Sequence, residues 1–249
     1  MQFHDAADTL TLNEKPLQNT MHTLVVAQGK DYDYLFRFRG FILDAGAKTA
    51  EPEVSSRRIE YIGDSITAGY TDSKANVSAF SWIASELLVA EHTQIAFPGI
   101  CLVDGVKNTG MTVQYDKLVG GKAGAGPNWK FSHEQPQIIV INLGTNDEAN
   151  HVPDSTFRDA YVRFLIALRQ RYSNSQIIAM RTFLGLKSSP TQEAVAQRQH
   201  SGDHKVHFLD TSNWLKTAST DYNDGAHPSD TGQLKADRLL AKQLEKWLK

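Results

Sequence analysis

The sequence predicts an α/β fold in which helices cover a parallel β-sheet, and two observations support this prediction. From residue 57 onward, short apolar runs alternate with longer segments that have helical periodicity. Such alternation favours a parallel sheet, because each parallel connection needs a crossover that is usually a helix. The chain has 249 residues, 41% of them hydrophobic and 22% charged, which suits one sizeable core and a small accessory element.

The elements of this fold are predicted in chain order. Strands are expected over residues 59–62, 94–97, 138–142, 176–180 and 206–209, where the runs are short and mostly apolar. Helices are expected over residues 77–91, 157–172, 191–200 and 229–248. The last helix is predicted to begin at Ser229 or Asp230, because either residue is a good N-cap and Pro228 disfavours helical backbone before it.

The first fifty residues have a different pattern. Apolar and polar residues alternate over residues 8–12, 21–27 and 34–44, which is typical of half-buried strands. We therefore expect a small antiparallel β element over residues 1–50. Residues 51–56, which include Pro52, are predicted as a linker, and residues 57–249 as the main domain.

Charge and cysteine content exclude several classes of protein. A net charge of −2 argues against nucleic acid or an anionic membrane as the main partner. The single cysteine, Cys101, cannot form an internal disulfide.

At the start of the chain no basic region precedes an apolar core, and no run approaches a membrane-spanning helix. We expect a soluble chain without a secretion signal.

The turn Gly63-Asp64-Ser65 follows the first predicted strand. A serine in such a turn has its hydroxyl lifted above the sheet, where a substrate carbonyl can reach it. The surrounding sequence is not the Gly-x-Ser-x-Gly elbow of other serine hydrolases, and on its own Ser65 would be interpreted as an ordinary turn residue. Asp64 is expected to hold the turn by accepting backbone amides, and it is also a candidate substrate contact.

The segment Asp224-Gly225-Ala226-His227 supplies the base that a serine nucleophile needs. In a turn, the spacing of three lets the Asp224 carboxylate reach Nδ1 of His227 and leaves Nε2 for Ser65. Asp221 or a backbone carbonyl could orient the ring instead. The sequence predicts a base at a loop, but it leaves these alternatives for the orienting group open.

Two loops offer donors for an oxyanion. Asn146 follows the predicted strand 138–142, and Gly99 follows the candidate strand 94–97. Both positions lie at carboxyl ends of strands, where open α/β sheets bind ligands. Gly99 has no side chain to block the approach of a ligand to its backbone, and Asp147 is expected to brace its loop.

Taken together, these blocks resemble those of the SGNH, or GDSL, hydrolases. They are, in order, Gly63-Asp64-Ser65, Gly99, Gly144-Thr145-Asn146-Asp147 and Asp224-x-x-His227-Pro228. The resemblance implies a three-layer α/β/α, flavodoxin-like fold with a Ser65 nucleophile, a His227 base and an Asp224 orienter. It also implies an oxyanion hole formed by the Ser65 and Gly99 amides and the Asn146 side chain.

Within that group the chain is most similar to carbohydrate esterase family 2, through residues 41–47, 57–70 and 129–147. The resemblance implies removal of acetyl groups from sugar hydroxyls outside the cell, without a cofactor, and a shortened, jelly-roll-like β-sandwich over residues 1–50. Two alternatives stay open. The chain could be a lipase, lysophospholipase or thioesterase of the same fold, or a catalytically impaired domain that binds glycans.

Two further features were weighed for ligand contacts. Trp129 lies in the glycine-rich segment between residues 99 and 131, which is expected to form a wall of the site, so Trp129 is a candidate for stacking on a sugar ring. His200, His204 and His207 are grouped, but no nearby carboxylate or cysteine completes a metal site. We therefore predict no metal.

Overall fold

The computed structural model describes residues 9, 11, 12, 15, 17–30, 37–107, 109–118, 126–131, 135–217 and 219–248. The predicted strands over residues 8–12 and 34–44 lie partly outside this set. None of the helices in the described part of the chain has the length and apolar character needed to span a lipid bilayer.

The core of the molecule is a sheet of five strands, all of them parallel, as the sequence predicts. The strands are β1 (Arg58–Gly63), β2 (Glu91–Ala96), β3 (Ile138–Asn142), β4 (Gln176–Met180) and β5 (Val206–Leu209). Their order across the sheet is β2-β1-β3-β4-β5, which is the flavodoxin-like order. The chain reverses direction across the sheet between β1 and β3, so the crevice at their carboxyl ends is the expected ligand site.

Helices cover both faces of this sheet, which makes three layers. They are α1 (Phe80–Leu87), α2 (Met111–Gln114), α3 (Thr145–Ala149), α4 (Asp154–Arg171), α5 (Ser188–His200) and α6 (Asp230–Leu244). One apolar cluster joins the sheet to α2, α4 and α5, and the other joins it to α1 and α6. Every residue of β3 is buried, because this strand has neighbours on both sides and helices on both faces.

Helix ends differ from the prediction at several places. Helices α4 and α5 begin at Asp154 and Ser188, each three residues before the predicted start. The segment predicted as a helix over residues 77–91 forms a short 3₁₀ helix (Ala75–Ser78), then α1, and then the first residue of β2. Val89 has a φ of 51°, which a helix does not allow. The predicted helix over residues 229–248 ends at Leu244 and continues as a 3₁₀ turn (Glu245–Trp247).

The antiparallel element predicted for residues 1–50 is not seen in the described residues before Arg57, which form no strand. Met21, Val25 and Ile42 are exposed there, so the alternation of these residues does not bury an apolar face. A strand needs a paired neighbour and a covered face to be stable, and the described residues of this segment provide neither. The accessory element and its boundaries at residues 50 and 56 stay predictions.

Candidate active site

Ser65 lies in a tight turn directly after β1. The Asp64 carboxylate accepts the Ile66 amide at 3.0 Å, and the Ser65 carbonyl accepts the Tyr70 amide at 2.9 Å. A side chain on Gly63 would place its Cβ 2.0 Å from the Thr67 hydroxyl oxygen, so only glycine fits between the strand and the turn. These contacts fix the backbone that carries Ser65 at the carboxyl edge of the sheet.

The structure brings His227 to Ser65 and Asp224 to His227. His227 Nε2 lies 3.0 Å from Ser65 Oγ, and His227 Nδ1 lies 2.8 Å from Asp224 Oδ2. The network assigns the proton on Nδ1 to the bond with Asp224, which leaves the Nε2 lone pair for the serine hydroxyl. The three side chains form a continuous hydrogen-bonded chain that ends at the hydroxyl.

Asp224 is held in its ionised form by its own loop. Burial acts to raise the pKa of this carboxyl, but hydrogen bonds from the backbone amides of His227 and Ala226, and the His227 ring, outweigh burial and lower the pKa. The two amides donate to Oδ1 at 2.7 and 2.8 Å. Oδ2 therefore remains available to accept the proton on Nδ1 of His227.

Asp221, the alternative orienting group, lies elsewhere. Its carboxylate is buried, accepts the Lys216 amide at 3.0 Å and is hydrogen-bonded to Lys235 Nζ. Its carbonyl accepts the Ser229 amide at 2.8 Å. Asp221 therefore anchors the loop before α6, whereas Asp224 contacts the imidazole.

Asn146 and Gly99 lie beside this chain of side chains. The Asn146 amide nitrogen Nδ2 donates to the carbonyl of Ile100 at 3.0 Å and lies 3.5 Å from Asp64 Oδ2. Because Ile100 follows Gly99 and Asp64 precedes Ser65, Asn146 connects the two loops. Gly99 has a φ of 82°, and a Cβ at this residue would meet nothing within 4 Å. Glycine is therefore favoured there by its backbone conformation, and the space beside it is open.

Two buried carboxylates support these loops. Asp147 accepts the amides of Leu102 at 2.8 Å and Val103 at 3.0 Å, which places it in the bracing role expected from the sequence. Burial raises its pKa, with those amides acting in the opposite direction. Burial also raises the pKa of Asp64 to about 7.

Asp64 does not have the accessibility that a direct substrate contact needs. Its side chain has no exposed surface and is occupied by the Ile66 amide on one oxygen. The structure shows no surface of Asp64 open to a substrate, so that contact stays a prediction, whereas the prediction that Asp64 holds the turn is supported by its hydrogen bond to the Ile66 amide.

Trp129 lies away from Ser65, and its stacking on a sugar ring stays a prediction. Its amide donates to the Asp116 carbonyl at 2.8 Å, and the Asp116 carboxylate pairs with Arg171, the last residue of α4, at 2.6 Å. Helix α4 begins near the Asn146 loop and runs about 27 Å toward the start of β4, at a rise of about 1.5 Å per residue. Trp129, which is 52% exposed, therefore lies at the opposite edge of the sheet.

The site contains residues that the sequence analysis did not identify. The Tyr70 ring lies 5.0 Å from the His227 ring, centroid to centroid, and is 43% exposed. Lys187 is buried, and its ammonium donates to the Val152 carbonyl at 2.6 Å and to Asp154 at 2.7 Å. Tyr70 is the last residue of the segment 57–70 that carries the family resemblance, so it could have been singled out there, whereas no local pattern marks Lys187.

Metal ligands are not grouped in the described residues, where no set of three or more His, Cys, Asp or Glu side chains could hold an ion. His200 Nδ1 lies 2.7 Å from the Ala196 carbonyl, and His207 Nε2 lies 2.8 Å from Gln176 Oε1. These two histidines therefore have separate structural partners. The absence of a cofactor stays a prediction.

Comparison with known proteins identifies the family of the chain. Residues 61–235 match the model of the GDSL-like lipase/acylhydrolase family. The chain belongs to this family. The match includes Ser65, Gly99, Asn146, Asp224 and His227.

Two curated relatives of this GDSL-family chain carry names that refer to esterase activity. The chain is 32% identical over 225 residues to the cellulase/esterase CelE of Acetivibrio thermocellus, covering 82% of this chain and 27% of that protein. It is 27% identical over 198 residues to an acetylxylan esterase/glucomannan deacetylase of Cellvibrio japonicus, covering 68% of this chain and 55% of the relative. The chain spans between 27% and 58% of the length of the curated relatives it matches.

Solved structures show the same fold. A family two carbohydrate esterase from Clostridium thermocellum, solved in complex with cellohexaose, has a TM-score of 0.69 and 26% identity, covering 80% of this chain and 66% of that one. An acetyl xylan esterase from Butyrivibrio proteoclasticus has a TM-score of 0.67 at 22% identity, covering 79% of this chain and 66% of that one. This second likeness concerns the fold alone.

Proposed function

We propose that this chain is a serine esterase that removes acetyl groups from acetylated carbohydrates. The observation that carries the proposal is the continuous hydrogen-bonded chain from Asp224 through His227 to Ser65 at the carboxyl edge of the sheet. The names of the curated relatives support carbohydrate as the substrate class. By the same resemblance, we infer an extracellular polysaccharide as the natural substrate.

The first half of the reaction transfers the acetyl group to the enzyme. Ser65 Oγ attacks the acetyl carbonyl carbon while His227 Nε2 takes the hydroxyl proton, and Asp224 stabilises the resulting imidazolium. The tetrahedral intermediate collapses when its bond to the sugar oxygen breaks and His227 returns the proton to that oxygen. The sugar leaves as an alcohol, and the acetyl group remains on Ser65.

The second half repeats the chemistry with water. His227 removes a proton from a water molecule, whose oxygen attacks the acetyl carbon, and the proton then returns to Ser65 Oγ as acetate leaves. During both halves the oxyanion is stabilised by the amides of Ser65 and Gly99 and by Nδ2 of Asn146. Asn146 bonds the Ile100 carbonyl in this structure, so we expect it to exchange that acceptor for the oxyanion.

The test of this proposal is the variant Ser65→Ala, assayed by acetate release from acetylated xylan and by hydrolysis of p-nitrophenyl acetate. We expect the variant to lose nearly all activity while its thermal unfolding stays close to that of the wild type. Ser201→Ala is a matched control, because Ser201 is exposed at the end of α5. Near-normal turnover by the Ser65 variant would remove this residue from the mechanism.

The remaining alternatives are separated by two further measurements. A series of acyl esters from acetate to octanoate should show a strong preference for acetate, whereas a lipase or thioesterase should accept the longer chains. A fluorophosphonate probe should label Ser65 in the wild type. Glycan binding without labelling would instead indicate a binding domain with an impaired site.

A further inference from the structure

Gln233 is a fully buried polar residue near the start of α6, the helix that follows His227. Its side-chain amide makes three hydrogen bonds. Oε1 accepts the Phe80 amide at 2.9 Å, and Nε2 donates to Asp72 Oδ2 at 2.8 Å and to the Ile66 carbonyl at 3.4 Å. All three partners belong to the segment that follows Ser65, and one of them is the residue next to it.

These bonds connect the two segments that the proposed mechanism must align. Ser65 is carried by the turn after β1, and His227 by the loop before α6, so their separation depends on how the segment after Ser65 packs against α6. Exposed contacts also join the two segments: Asn223 donates to the Thr71 carbonyl at 3.1 Å, and Asp230 accepts the Ser73 amide at 3.0 Å. Water readily replaces an exposed hydrogen bond, whereas a buried amide that loses its partners has no water to bond instead.

We propose that Gln233 is a positioning residue that sets the distance between Ser65 Oγ and His227 Nε2. The inference rests on the esterase function proposed above and adds a residue that touches neither substrate nor the reacting atoms. An apolar side chain would fill the same space, but it would not hold the Ile66 carbonyl and the Phe80 amide at fixed distances from α6. Misplacement of a reacting group by about 1 Å can cost about 100-fold in rate.

Asp72 is the side-chain partner of the Gln233 amide. One of its oxygens accepts from Nε2 of Gln233, while the other has no hydrogen-bond partner within the described residues. The Phe80 amide can only donate, so it requires the oxygen of the Gln233 amide and leaves Nε2 to face Asp72. Nε2 therefore faces the Ile66 carbonyl as well.

The test uses Gln233→Met, which keeps the length of the side chain and removes its hydrogen bonds. We expect kcat on p-nitrophenyl acetate and the second-order rate of fluorophosphonate labelling of Ser65 to fall together by about 10- to 100-fold, with KM nearly unchanged. Gln199→Met is the matched control, because Gln199 likewise bonds a backbone carbonyl, that of Val206 at 2.8 Å, on the other face of the sheet. It should leave both rates near the wild-type values.

A purely structural role would give a different result. If Gln233→Met lowers the midpoint of thermal unfolding but leaves kcat and the labelling rate at their wild-type values, the positioning role is wrong. A wild type that neither hydrolyses esters nor reacts with the probe would instead contradict the proposed function itself. An active wild type with an equally active Gln233 variant contradicts only the inference about Gln233.

A second pair of variants keeps the inference testable if Gln233→Met does not fold. Asp72→Asn retains an oxygen that can accept from Gln233, so kcat should stay near the wild-type value. Asp72→Ala removes the acceptor, and we expect kcat and the labelling rate to decrease several-fold. Equal activity in the wild type, Asp72→Asn and Asp72→Ala would overturn the proposal.

Discussion

Asp237 is a buried carboxyl whose charge is poorly compensated, and its replacement by asparagine should stabilise the protein at neutral and alkaline pH. The residue lies on α6, has no exposed surface, and neither of its oxygens has a hydrogen-bond partner in the described part of the chain. Burial raises its pKa from 3.8 to about 6. The amide and charge of Arg238 act in the opposite direction, but that amide makes no hydrogen bond of normal geometry to either Asp237 oxygen.

The size and sign of the effect follow from this pKa. Well below pH 3.8 the carboxyl is protonated in both the folded and the unfolded state, so ionisation costs no stability. As the pH rises, the unfolded chain ionises first, and the folded state loses stability until the pH passes about 6. The difference between the two pKa values corresponds to a loss of about 3 kcal/mol at most, of which about half has occurred by pH 5.

The assay is urea unfolding of the wild type and of Asp237→Asn at pH 5 and pH 8. The stability advantage of the variant over the wild type should grow by about 1.5 kcal/mol between these pH values, because asparagine does not ionise. Asp44→Asn, at an exposed aspartate, serves as the control and should show no such growth. An advantage of Asp237→Asn that is the same at both pH values would refute the reasoning.

Two further predictions concern the loop that carries Asn146. Asn146→Ala should reduce kcat on p-nitrophenyl acetate by about 100- to 1,000-fold with little change in thermal unfolding, because an oxyanion donor acts mainly in the transition state; a decrease below about threefold would exclude Asn146 from the oxyanion hole. Lys187→Met should destabilise the protein by about 2 kcal/mol or more in urea unfolding, because the Val152 carbonyl, Asp154 and Glu148 lose a buried ammonium partner. Unchanged stability would show that these contacts contribute nothing to the fold.

The sequence predicted strands β3, β4 and β5 better than strand β2, for a physical reason. Strands β3, β4 and β5 have the predicted bounds, because each is a short run with a strong apolar signal and a clear start and end. Strand β2 begins at Glu91 and carries polar residues that alternate between half-buried and exposed. Its first residues continue the helical pattern before them, so local sequence assigned Glu91 to a helix.

The strength of the local sequence signal also separates the site residues that were predicted from those that were missed. Asp224 and His227 are three residues apart, so their contact depends on one turn that the sequence specifies. Gln233 acts through partners on a remote segment, which no local pattern reveals. Trp129 was expected at the wall of the site, but its amide binds Asp116, which pairs with Arg171 at the opposite edge of the sheet. The glycines in the sequence around it indicate a loop without indicating its direction.

The loops of the candidate site share one way of holding their shape, which keeps the side chains of Ser65, His227 and Asp224 aligned. Asp64, Asp147 and Asp224 each accept backbone amides of a site loop. Loop amides that lie beside a reaction centre would otherwise need water, and ordered water would have to rearrange as the oxyanion forms. Because fixed carboxylates bond these amides instead, the loops need little reorganisation during the reaction. Oriented dipoles stabilise a transition state most strongly when little reorganisation is needed.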